Sequence, residues 1–464
     1  MPVVPEFDST PAAYRIVAGA VRTMNPEQPT AAALALRGDR IVAVGSLAEA
    51  TAACPVGTPV EDFGDATILP GFTDAHLHMQ RGGLKLLLEM GDAEHSLDDF
   101  IAVMNETGLK SSPGDDVEPT MDARLTGLRR IQPLLHSLGF TGIIDPAATD
   151  LELAGYERAY AEGVLTMRVL AMPYPNVGDA DNPTIDAAIE RLRGVGIRTG
   201  FGDDMLRIGG IKIYFDGEGM KGEALLPEPW PESGEVGVQR IPTADFEKLV
   251  EFCAANGWSV GVHAVGGAAS AAVVRAFEKA DAISPIAGRQ WQVIHAYLET
   301  SDDTMTRAAA IGAVASVQAS IALRNAAGLV GKLGSRAERV NPLRSWIDSG
   351  AVVALGSDGP FFPFDPRELM WSAITRRMRG RDEQFAPDEA ITAEEALRGY
   401  TVNSAIAAFA GDRRGRLVPG WLADFTVSDA DPLAVEPEQL LTARTLHTTV
   451  GGRTVFTAAT APRS

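Results

Sequence analysis

The stretch Leu69-Pro70-Gly71-Phe72-Thr73-Asp74-Ala75-His76-Leu77-His78-Met79 places two histidines two residues apart at the end of an apolar, β-prone run. Successive side chains of a strand point to opposite faces, so positions two apart share a face. His76 and His78 can therefore bind one metal ion. A core histidine bonded to a backbone carbonyl explains such residues as well, so the assignment depends on further ligands elsewhere in the chain.

The composition is that of a globular enzyme. Of 464 residues, 45% are hydrophobic and 22% are charged. The formal net charge of −20, without a dense Lys/Arg cluster, argues against nucleic-acid binding. Cys54 and Cys253 are too few for a disulfide framework. No basic-then-apolar leader and no run of about 18 apolar residues occurs, so we expect a soluble cytoplasmic protein without a membrane partner.

Beyond His78, apolar segments alternate with amphipathic helical patterns. Near-continuous apolar character is typical of strands buried on both faces of a parallel sheet. Eight such strands predict an α/β fold of the (β/α)8 TIM barrel type, whose catalytic groups lie at the C-terminal ends of its strands. The predicted strands are residues 72–79, 140–146, 167–173, 207–216, 258–265, 291–298, 313–320 and 351–358.

Short apolar segments with glycine turns occur at both ends of the chain. Gly38-Asp39 between two apolar runs predicts a hairpin. Neither end is long enough to bury a good core alone, so we expect the strands of both to combine in one small β-sandwich domain. This interpretation assigns residues 1–69 and 414–464 to the small domain and residues 70–413 to the barrel.

Two helices have clear boundary signals. An apolar stripe over residues 244–256 predicts a helix with Thr243 as its N-cap and Gly257 after its end. Thr392 and Glu395 have the spacing of a capping box at the start of a later helix.

Polar residues occupy several of the predicted barrel strands near one rim. Lys212 lies in the fourth strand, His263 in the fifth and His295 in the sixth, and Asp358 closes the eighth. A charged amine in an apolar strand is costly unless it is paired, modified or bound. Together with the first two histidines, these residues predict a metal centre. Imidazole and carboxylate ligands suit zinc, and also iron, nickel or manganese.

The chain resembles the amidohydrolase superfamily over nearly its whole length. Pro70-Gly71-Phe72-Thr73-Asp74-Ala75-His76-Leu77-His78 resembles the first-strand motif, and residues 415–427 resemble the closing strand motif. Residues 211–217 and His263-Ala264-Val265-Gly266 resemble the amidohydrolase-3 branch, which includes hydrolases of N-formyl and N-acyl amides.

The chain also departs from that branch at two positions near the rim. Gly267 follows where the branch commonly has an aspartate, and Ala319 stands where a proline is common. These differences bear on the substrate more than on the metal.

The resemblance implies a set of metal ligands. The first two histidines would hold the more buried ion and the last two the second ion. Lys212 would be carbamylated and bridge the ions if there are two, and Asp358 would bind the first ion and act as general base. The number of metal ions, one or two, and their identity, Zn²⁺ or another divalent transition metal, stay open. The implied ligands are His76, His78, Lys212, His263, His295 and Asp358.

Such a centre predicts hydrolysis of an amide-type C–N bond of a small molecule by a metal-bound hydroxide. A one-metal deaminase is the alternative, although residues 265–270 lack the glutamate that this chemistry uses in related enzymes. A cyclic-imide or C–C bond hydrolase of the same fold stays open, as does a homo-oligomer. The alternative of another class is a non-catalytic metal-binding or scaffold protein that has kept the barrel.

Side chains on or past the strand ends are candidates for the substrate pocket. Arg324 can pair a substrate carboxylate through two parallel hydrogen bonds. The remaining histidines, His95, His136 and His447, are interpreted as surface or structural residues. The pocket candidates are Tyr174, Tyr214, Trp230, Tyr297, Arg324, Phe361 and Phe362.

Metal removal separates an enzyme from a scaffold. We expect the purified protein to contain a transition metal, and we expect chelation to lower the thermal unfolding temperature by several degrees, because ligands on separate strands share the ion. Elemental analysis and thermal unfolding with and without chelator measure both quantities. A well-folded chain that holds no transition metal and is unaffected by chelation would favour the scaffold.

Overall fold

A computed structural model describes residues 13–90, 118–177, 184–378 and 381–459. Within this part of the chain, strands and helices alternate after a short β-rich opening. The strands are β1 (Tyr14–Arg22), β2 (Thr30–Arg37), β3 (Arg40–Gly45), β4 (Val60–Pro70), β5 (Phe72–Asp74), β6 (Phe140–Ala148), β7 (Arg168–Pro173), β8 (Leu206–Ile208), β9 (Ile211–Tyr214), β10 (Val260–Gly266), β11 (Gln292–Leu298), β12 (Val314–Gln318), β13 (Val352–Gly356), β14 (Phe425–Ser428), β15 (Thr445–Val450) and β16 (Arg453–Thr457).

Helices connect most of the successive strands between β5 and β14. In the described residues, none of them combines the length and apolarity that crossing a bilayer requires. The α-helices are α1 (Leu47–Ala52), α2 (Met79–Met90), α3 (Met121–Ser137), α4 (Asp150–Ala161), α5 (Ile185–Gly194), α6 (Thr243–Ala255), α7 (Gly267–Ile283), α8 (Asp302–Ala310), α9 (Ala319–Leu333), α10 (Leu343–Asp348), α11 (Pro366–Thr375), α12 (Ala393–Arg398) and α13 (Ser404–Ala407).

The apolar segments of the central part form two parallel sheets, in the orders β13-β12-β11-β10-β9 and β5-β6-β7-β8. The predicted fourth strand, residues 207–216, divides at Gly209 and Gly210, so that β8 pairs with β7 and β9 pairs with β10. A Cβ atom on Gly210 would lie 2.8 Å from the carbonyl carbon of Ser259, so the backbones pass closely there. This one segment therefore contributes to both sheets.

The other edges of the two sheets are also linked by backbone hydrogen bonds. Ala75, just after β5, donates from its backbone N to Leu355 O of β13 at 3.1 Å. Leu77 forms an isolated parallel bridge with Gly359, three residues past the end of β13. The parallel architecture expected from the sequence is confirmed, and the chain segments that follow β5 and β13 lie side by side.

Strands from both ends of the chain share one seven-stranded sheet, in the order β16-β15-β14-β4-β1-β2-β3. In its centre, β4 pairs with β14, where Phe425 lies opposite Pro70, and with β1 on its other side. The predicted hairpin joins β2 and β3, and Gly38 adopts φ +58°, which favours glycine. A two-sheet sandwich and the domain boundaries stay predictions.

A buried ion pair joins this sheet to the parallel sheets. Arg168, the first residue of β7, donates from Nε and Nη2 to the two carboxylate oxygens of Asp424, at 2.6 and 2.8 Å. Its Nη1 donates to Asp204 O at 3.0 Å. Two parallel charge-assisted bonds fix orientation as well as distance, and loss of either partner would leave a buried charge unpaired.

The predicted helix boundaries are largely confirmed, with one correction. Helix α6 ends before Gly257, whose φ is +76°, and Thr392 with Glu395 forms the predicted capping box of α12. Thr243 is not an N-cap. It is the first helical residue, and its Oγ1 accepts from Gln239 Nε2 at 3.0 Å, so the hydroxyl is engaged by the preceding loop.

His136 connects the end of α3 to its neighbouring segments. Its Nδ1 lies 2.9 Å from Phe140 O, and its Nε2 lies 2.9 Å from Thr166 Oγ1. Burial lowers the pKa of the ring to about 4, against the effect of the Phe140 carbonyl. His447 is also buried. Both residues are buried within the fold, as expected for structural histidines. His95 lies outside the described residues.

We expect protonation of His136 in the unfolded chain to make stability depend on pH. The unfolded ring binds a proton below about pH 6.5, whereas the folded ring stays neutral down to about pH 4. The unfolded state binds more protons in this window, so the free energy of unfolding falls as the pH decreases, by at most about 3 kcal/mol from this group.

The variant His136→Gln removes this contribution. Its free energy of unfolding in urea should fall less steeply than that of the wild type between pH 6.5 and about pH 4.5. All other titrating groups are shared by the two proteins and largely cancel in the difference. Equal slopes would contradict a neutral, buried His136.

Candidate metal centre

The two histidines of the opening stretch lie just past the strand predicted to carry them. Strand β5 ends at Asp74, short of the predicted end at residue 79, and His76 and His78 follow in an irregular segment. This segment keeps one bond to β6, from Leu77 N to Ile144 O at 3.0 Å. It also bonds to the chain beyond β13: His76 O accepts from Asp358 N at 2.7 Å, and His78 N donates to Gly359 O at 2.8 Å. Both imidazoles lie near one carboxylate.

That carboxylate belongs to Asp358. Its Oδ1 lies 3.5 Å from His76 Nε2 and 3.4 Å from His78 Nε2. The ring centre of His295 lies 5.0 Å from that of His76. One ligand atom from each of His76, His295 and Asp358 lies within 4.8 Å of the other two. These three residues form a compact set of metal donors.

Strands β9, β10 and β11 supply the remaining candidates. His263 on β10 and His295 on β11 have ring centres 4.5 Å apart. Lys212 on β9 is 1% exposed, and its Nζ lies 5.0 Å from the centre of the Tyr214 ring. All six predicted ligand residues line one pocket of about 420 Å³: His76, His78, Lys212, His263, His295 and Asp358.

Burial keeps three of the imidazoles neutral. It lowers the pKa of His76 to about 3, and the neighbouring Lys212 acts in the same direction. Burial, together with nearby positive groups, also holds the pKa values of His263 and His295 well below their ordinary value. The neutral imidazole is the form that binds a metal ion. Burial lowers the pKa of the Lys212 amine as well, to about 7.

His78 and Asp358 behave differently because each faces opposite charge. Burial acts against the charged form of His78, but the contacts with Asp145 and Asp358 outweigh it and raise the pKa of the ring. For Asp358, burial acts against the carboxylate, yet His76 and His78 hold its pKa well below the usual range. The centre therefore contains a charged carboxylate among imidazoles.

These residues fit a divalent metal ion. Among the described residues, His78 Nδ1 is a buried nitrogen without a hydrogen-bond partner, since Asp145 Oδ1 lies 3.6 Å away. His295 Nδ1 lies 2.7 Å from Gln318 Oε1, an arrangement that fixes the ring and leaves Nε2 for an ion. Imidazole and carboxylate donors suit zinc and other divalent transition metals.

Asp216 organises the backbone around His263. This role was not predicted, although the residue lies in the motif of residues 211–217. Its carboxylate accepts from the backbone N of Leu225, Val265 and Gly266, at 3.0, 2.9 and 2.9 Å. Burial raises its pKa to about 7 in opposition to these bonds. The loop after β9 is thereby fixed to the end of β10.

Arg81 of α2 also lines the pocket and was not predicted. Its Nε donates to Glu152 Oε1 at 3.0 Å, and its Nη2 donates to Ala147 O at 2.9 Å. The pocket candidates were chosen on or past the ends of strands, whereas Arg81 lies on a helix. Other unpredicted lining residues are Glu218, Met220, Lys221, Val265, Ile321 and Asn325.

Four of the seven pocket candidates belong to the lining: Tyr214, Tyr297, Phe361 and Phe362. Arg324 does not line this pocket. Its Nη1 donates to Phe361 O at 3.1 Å, so the guanidinium supports the backbone of a lining residue.

The ring of Tyr174 packs at 5.6 Å from that of Tyr214, behind the lining. Trp230 is buried with its Nε1 bonded to Ala224 O at 2.9 Å. Substrate contacts by any of these residues stay predictions.

The structure shows where the two residues that depart from the branch pattern lie. A Cβ atom on Gly267 would lie 2.1 Å from Glu299 O, so the close backbone approach requires glycine where an aspartate is common. Ala319 is the first residue of α9, directly after Gln318. The close approach of the Glu299 backbone therefore accounts for glycine at position 267.

Comparison with known sequences places this geometry in a family. A sequence model of the amidohydrolase family, of the amidohydrolase-3 branch, matches residues 109–456. The chain belongs to the amidohydrolase family. The resemblance identified from the sequence motifs is confirmed, and family membership supports a hydrolase that binds metal.

Two curated relatives of this amidohydrolase illustrate the relationship. It is 30% identical to YtcJ of Bacillus subtilis over 54% of this chain and 47% of that protein. It is 27% identical to the N-substituted formamide deformylase of Arthrobacter pascens over 70% of this chain and 60% of that enzyme. The chain thus spans about half the length of the first relative.

Solved structures share the fold of this amidohydrolase. An uncharacterized metal-dependent hydrolase from Pyrococcus furiosus matches with a TM-score of 0.73 and 21% identity, over 91% of this chain and 100% of that one. Atrazine chlorohydrolase TrzN from Arthrobacter aurescens TC1, solved with zinc, matches with a TM-score of 0.61 and 18% identity, over 95% and 94%. These likenesses show a TIM-barrel-like α/β fold.

Gln318 offers a test of the metal centre that leaves every proposed ligand intact. We expect Gln318→Leu to lower metal affinity about 10- to 100-fold, because His295 loses the partner that orients its ring. Titration of chelator-treated protein with Zn²⁺ measures the affinity. The control Gln439→Leu, at an exposed residue of the terminal region, should bind as the wild type does. Unchanged affinity in Gln318→Leu would exclude this positioning role.

Proposed function

We propose that this amidohydrolase cleaves an amide-type C–N bond of a small molecule with the aid of bound metal. The observation that carries the proposal is the position of the Asp358 carboxylate, 3.4 to 3.5 Å from two imidazoles in the wall of the pocket. A carboxylate held beside metal-binding nitrogens and open to a substrate pocket has the position of a general base. We also propose that the two parallel sheets close into one barrel, with eight strands when β8 and β9 are counted as the two parts of one strand.

The proposed cofactor is one or two divalent ions, with zinc as the first candidate. When bound, such an ion lowers the pKa of a water ligand and polarises the substrate carbonyl. Carbamylation of Lys212 would turn a buried amine into a carboxylate between the two groups of histidines. In support, Lys212 lies in the pocket lining and its strand is adjacent to that of His263. The proposed ligands are His76, His78 and Asp358 for one ion, and His263 and His295 for the second.

Asp358 moves the proton in the proposed reaction. A water molecule adds to the amide carbonyl carbon, and the Asp358 carboxylate accepts the proton that this water loses. Asp358 then donates the same proton to the leaving nitrogen as the C–N bond breaks. The products are a carboxylic acid and an amine, and Asp358 returns to its charged form.

The lining of the pocket supports an acyl or formyl amide with an apolar substituent. Apolar side chains form part of the lining, and the A. pascens relative is named for deformylation of N-substituted formamides. A hydrolysis screen of the metal-loaded protein over N-formyl, N-acyl and cyclic amides tests the class. The apolar lining residues are Met220, Val265, Ile321, Phe361 and Phe362.

Replacement of the general base tests the mechanism. We expect Asp358→Asn to retain the fold and to lower kcat by about a hundred- to ten-thousand-fold on any amide that the screen identifies, because asparagine cannot accept the proton. The matched control is Asp303→Asn, at a residue of α8 with 76% of its side chain exposed. Near-normal turnover in Asp358→Asn with intact metal content would overturn the assignment.

A further inference from the structure

Asp145 lies behind His78 and faces one nitrogen of its ring. The residue belongs to β6, is 5% exposed and does not line the metal pocket. Its Oδ1 lies 3.6 Å from His78 Nδ1, whereas the other ring nitrogen, Nε2, lies 3.4 Å from Asp358 Oδ1. The two nitrogens of this imidazole therefore face two different carboxylates, and of these Asp358 lines the pocket.

The proton on an imidazole decides which of its nitrogens can bind a metal ion. A neutral ring carries one proton, and the nitrogen without it is the metal ligand. An ionised carboxylate accepts hydrogen bonds but cannot donate one, so a carboxylate beside Nδ1 favours a proton there. Within the described part of the chain, His78 Nδ1 has no hydrogen-bond partner, and the 3.6 Å to Asp145 exceeds a hydrogen bond by a few tenths of an ångström.

Tyr156 holds the Asp145 carboxylate in this position. Its Oη donates to Asp145 Oδ2, the carboxylate oxygen that does not face His78. Tyr156 lies on α4 and is fully buried, so water does not compete for its hydroxyl. The bond uses one carboxylate oxygen and leaves the other for the ring. Hydroxyl, carboxylate and imidazole thus form a chain of contacts from α4 to the pocket.

Helix α4 also holds the segment that follows His78. Glu152 of α4 accepts from Arg81 Nε at 3.0 Å, and its backbone carbonyl accepts from Gln80 Nε2. A Cβ atom on Gly155 of α4 would lie 2.7 Å from Gln80 Oε1, so α2 and α4 are in close contact. One helix therefore fixes both the backbone after His78 and the carboxylate that faces its ring.

We propose that Asp145 is a positioning residue that holds the ring proton of His78 on Nδ1 and leaves Nε2 for metal, with Tyr156 fixing Asp145. The inference rests on the proposed function, because it concerns the metal on which the proposed hydrolysis depends. It assigns the nitrogen that faces Asp358 as the metal ligand of His78. His295 has the same arrangement, since an oxygen of Gln318 faces its Nδ1.

Zinc titration of chelator-treated variants tests this role. We expect Asp145→Asn to lower Zn²⁺ affinity about 10- to 100-fold, because the amide can turn its NH2 group to Nδ1 and allow the ring proton to move to Nε2. Tyr156→Phe should lower the affinity by a smaller factor. The matched control is Tyr400→Phe, which should bind as the wild type does. Tyr400 is also fully buried, but its Oη has no hydrogen-bond partner among the described residues.

A double-mutant cycle separates action through the His78 ring from a general effect on packing. In the His78→Gln background, Asp145→Asn should change the Zn²⁺ affinity by less than about twofold, because the ring through which it acts is absent. The affinity of this background stays measurable because the compact donor set of His76, His295 and Asp358 remains.

Equal Zn²⁺ affinity in Asp145→Asn and the wild type would refute the positioning role. So would an effect of Asp145→Asn that keeps its full size in the His78→Gln background. A protein that shows the expected affinities but cleaves no amide in the hydrolysis screen would contradict the proposed hydrolysis and support the positioning role. A wild-type protein without affinity for Zn²⁺ would refute both.

Discussion

The backbone hydrogen bond from Asp358 N to His76 O is the contact on which the candidate metal centre depends. It holds the segment after β13 against the segment after β5, so that a carboxylate and two imidazoles meet. Asp358 adopts φ +57° and His295 adopts φ +78°, both in a region that costs energy for residues other than glycine. The surrounding parallel strands, bonded on both sides, hold these conformations and make the donor positions rigid.

The sequence was most informative where a polar residue interrupts an apolar strand. Burial in a parallel sheet makes such a residue expensive, so Lys212, His263 and His295 could be identified without a structure, and all three line the pocket. The strands themselves were recognisable for the same reason. Their ends were less predictable, since β5 stops at Asp74 and the residues after it bond both to β6 and to a segment far along the chain.

Residues whose role depends on one distant partner left no such signal. Arg168 and Asp424 are 256 positions apart, and although each lies in a predicted strand or motif, no sequence pattern pairs them. Gln318 is the last residue of an ordinary strand, yet its side chain fixes the ring of His295. Arg324 lies outside the pocket lining, and its Nη1 donates to a neighbouring backbone carbonyl, so its contact with substrate stays a prediction. Chemistry of the residue type alone could not reveal these partners.

The central position of β4 in the terminal sheet has a consequence for how the protein is made. Strand β4 runs into the histidine segment, and its pairing partner β14 begins at Phe425. During synthesis, the edge of β4 that carries Ile68 and Leu69 stays unpaired until nearly the whole barrel has left the ribosome. Exposed strand edges invite pairing with other chains, so this edge of β4 is open to such pairing until β14 has been made.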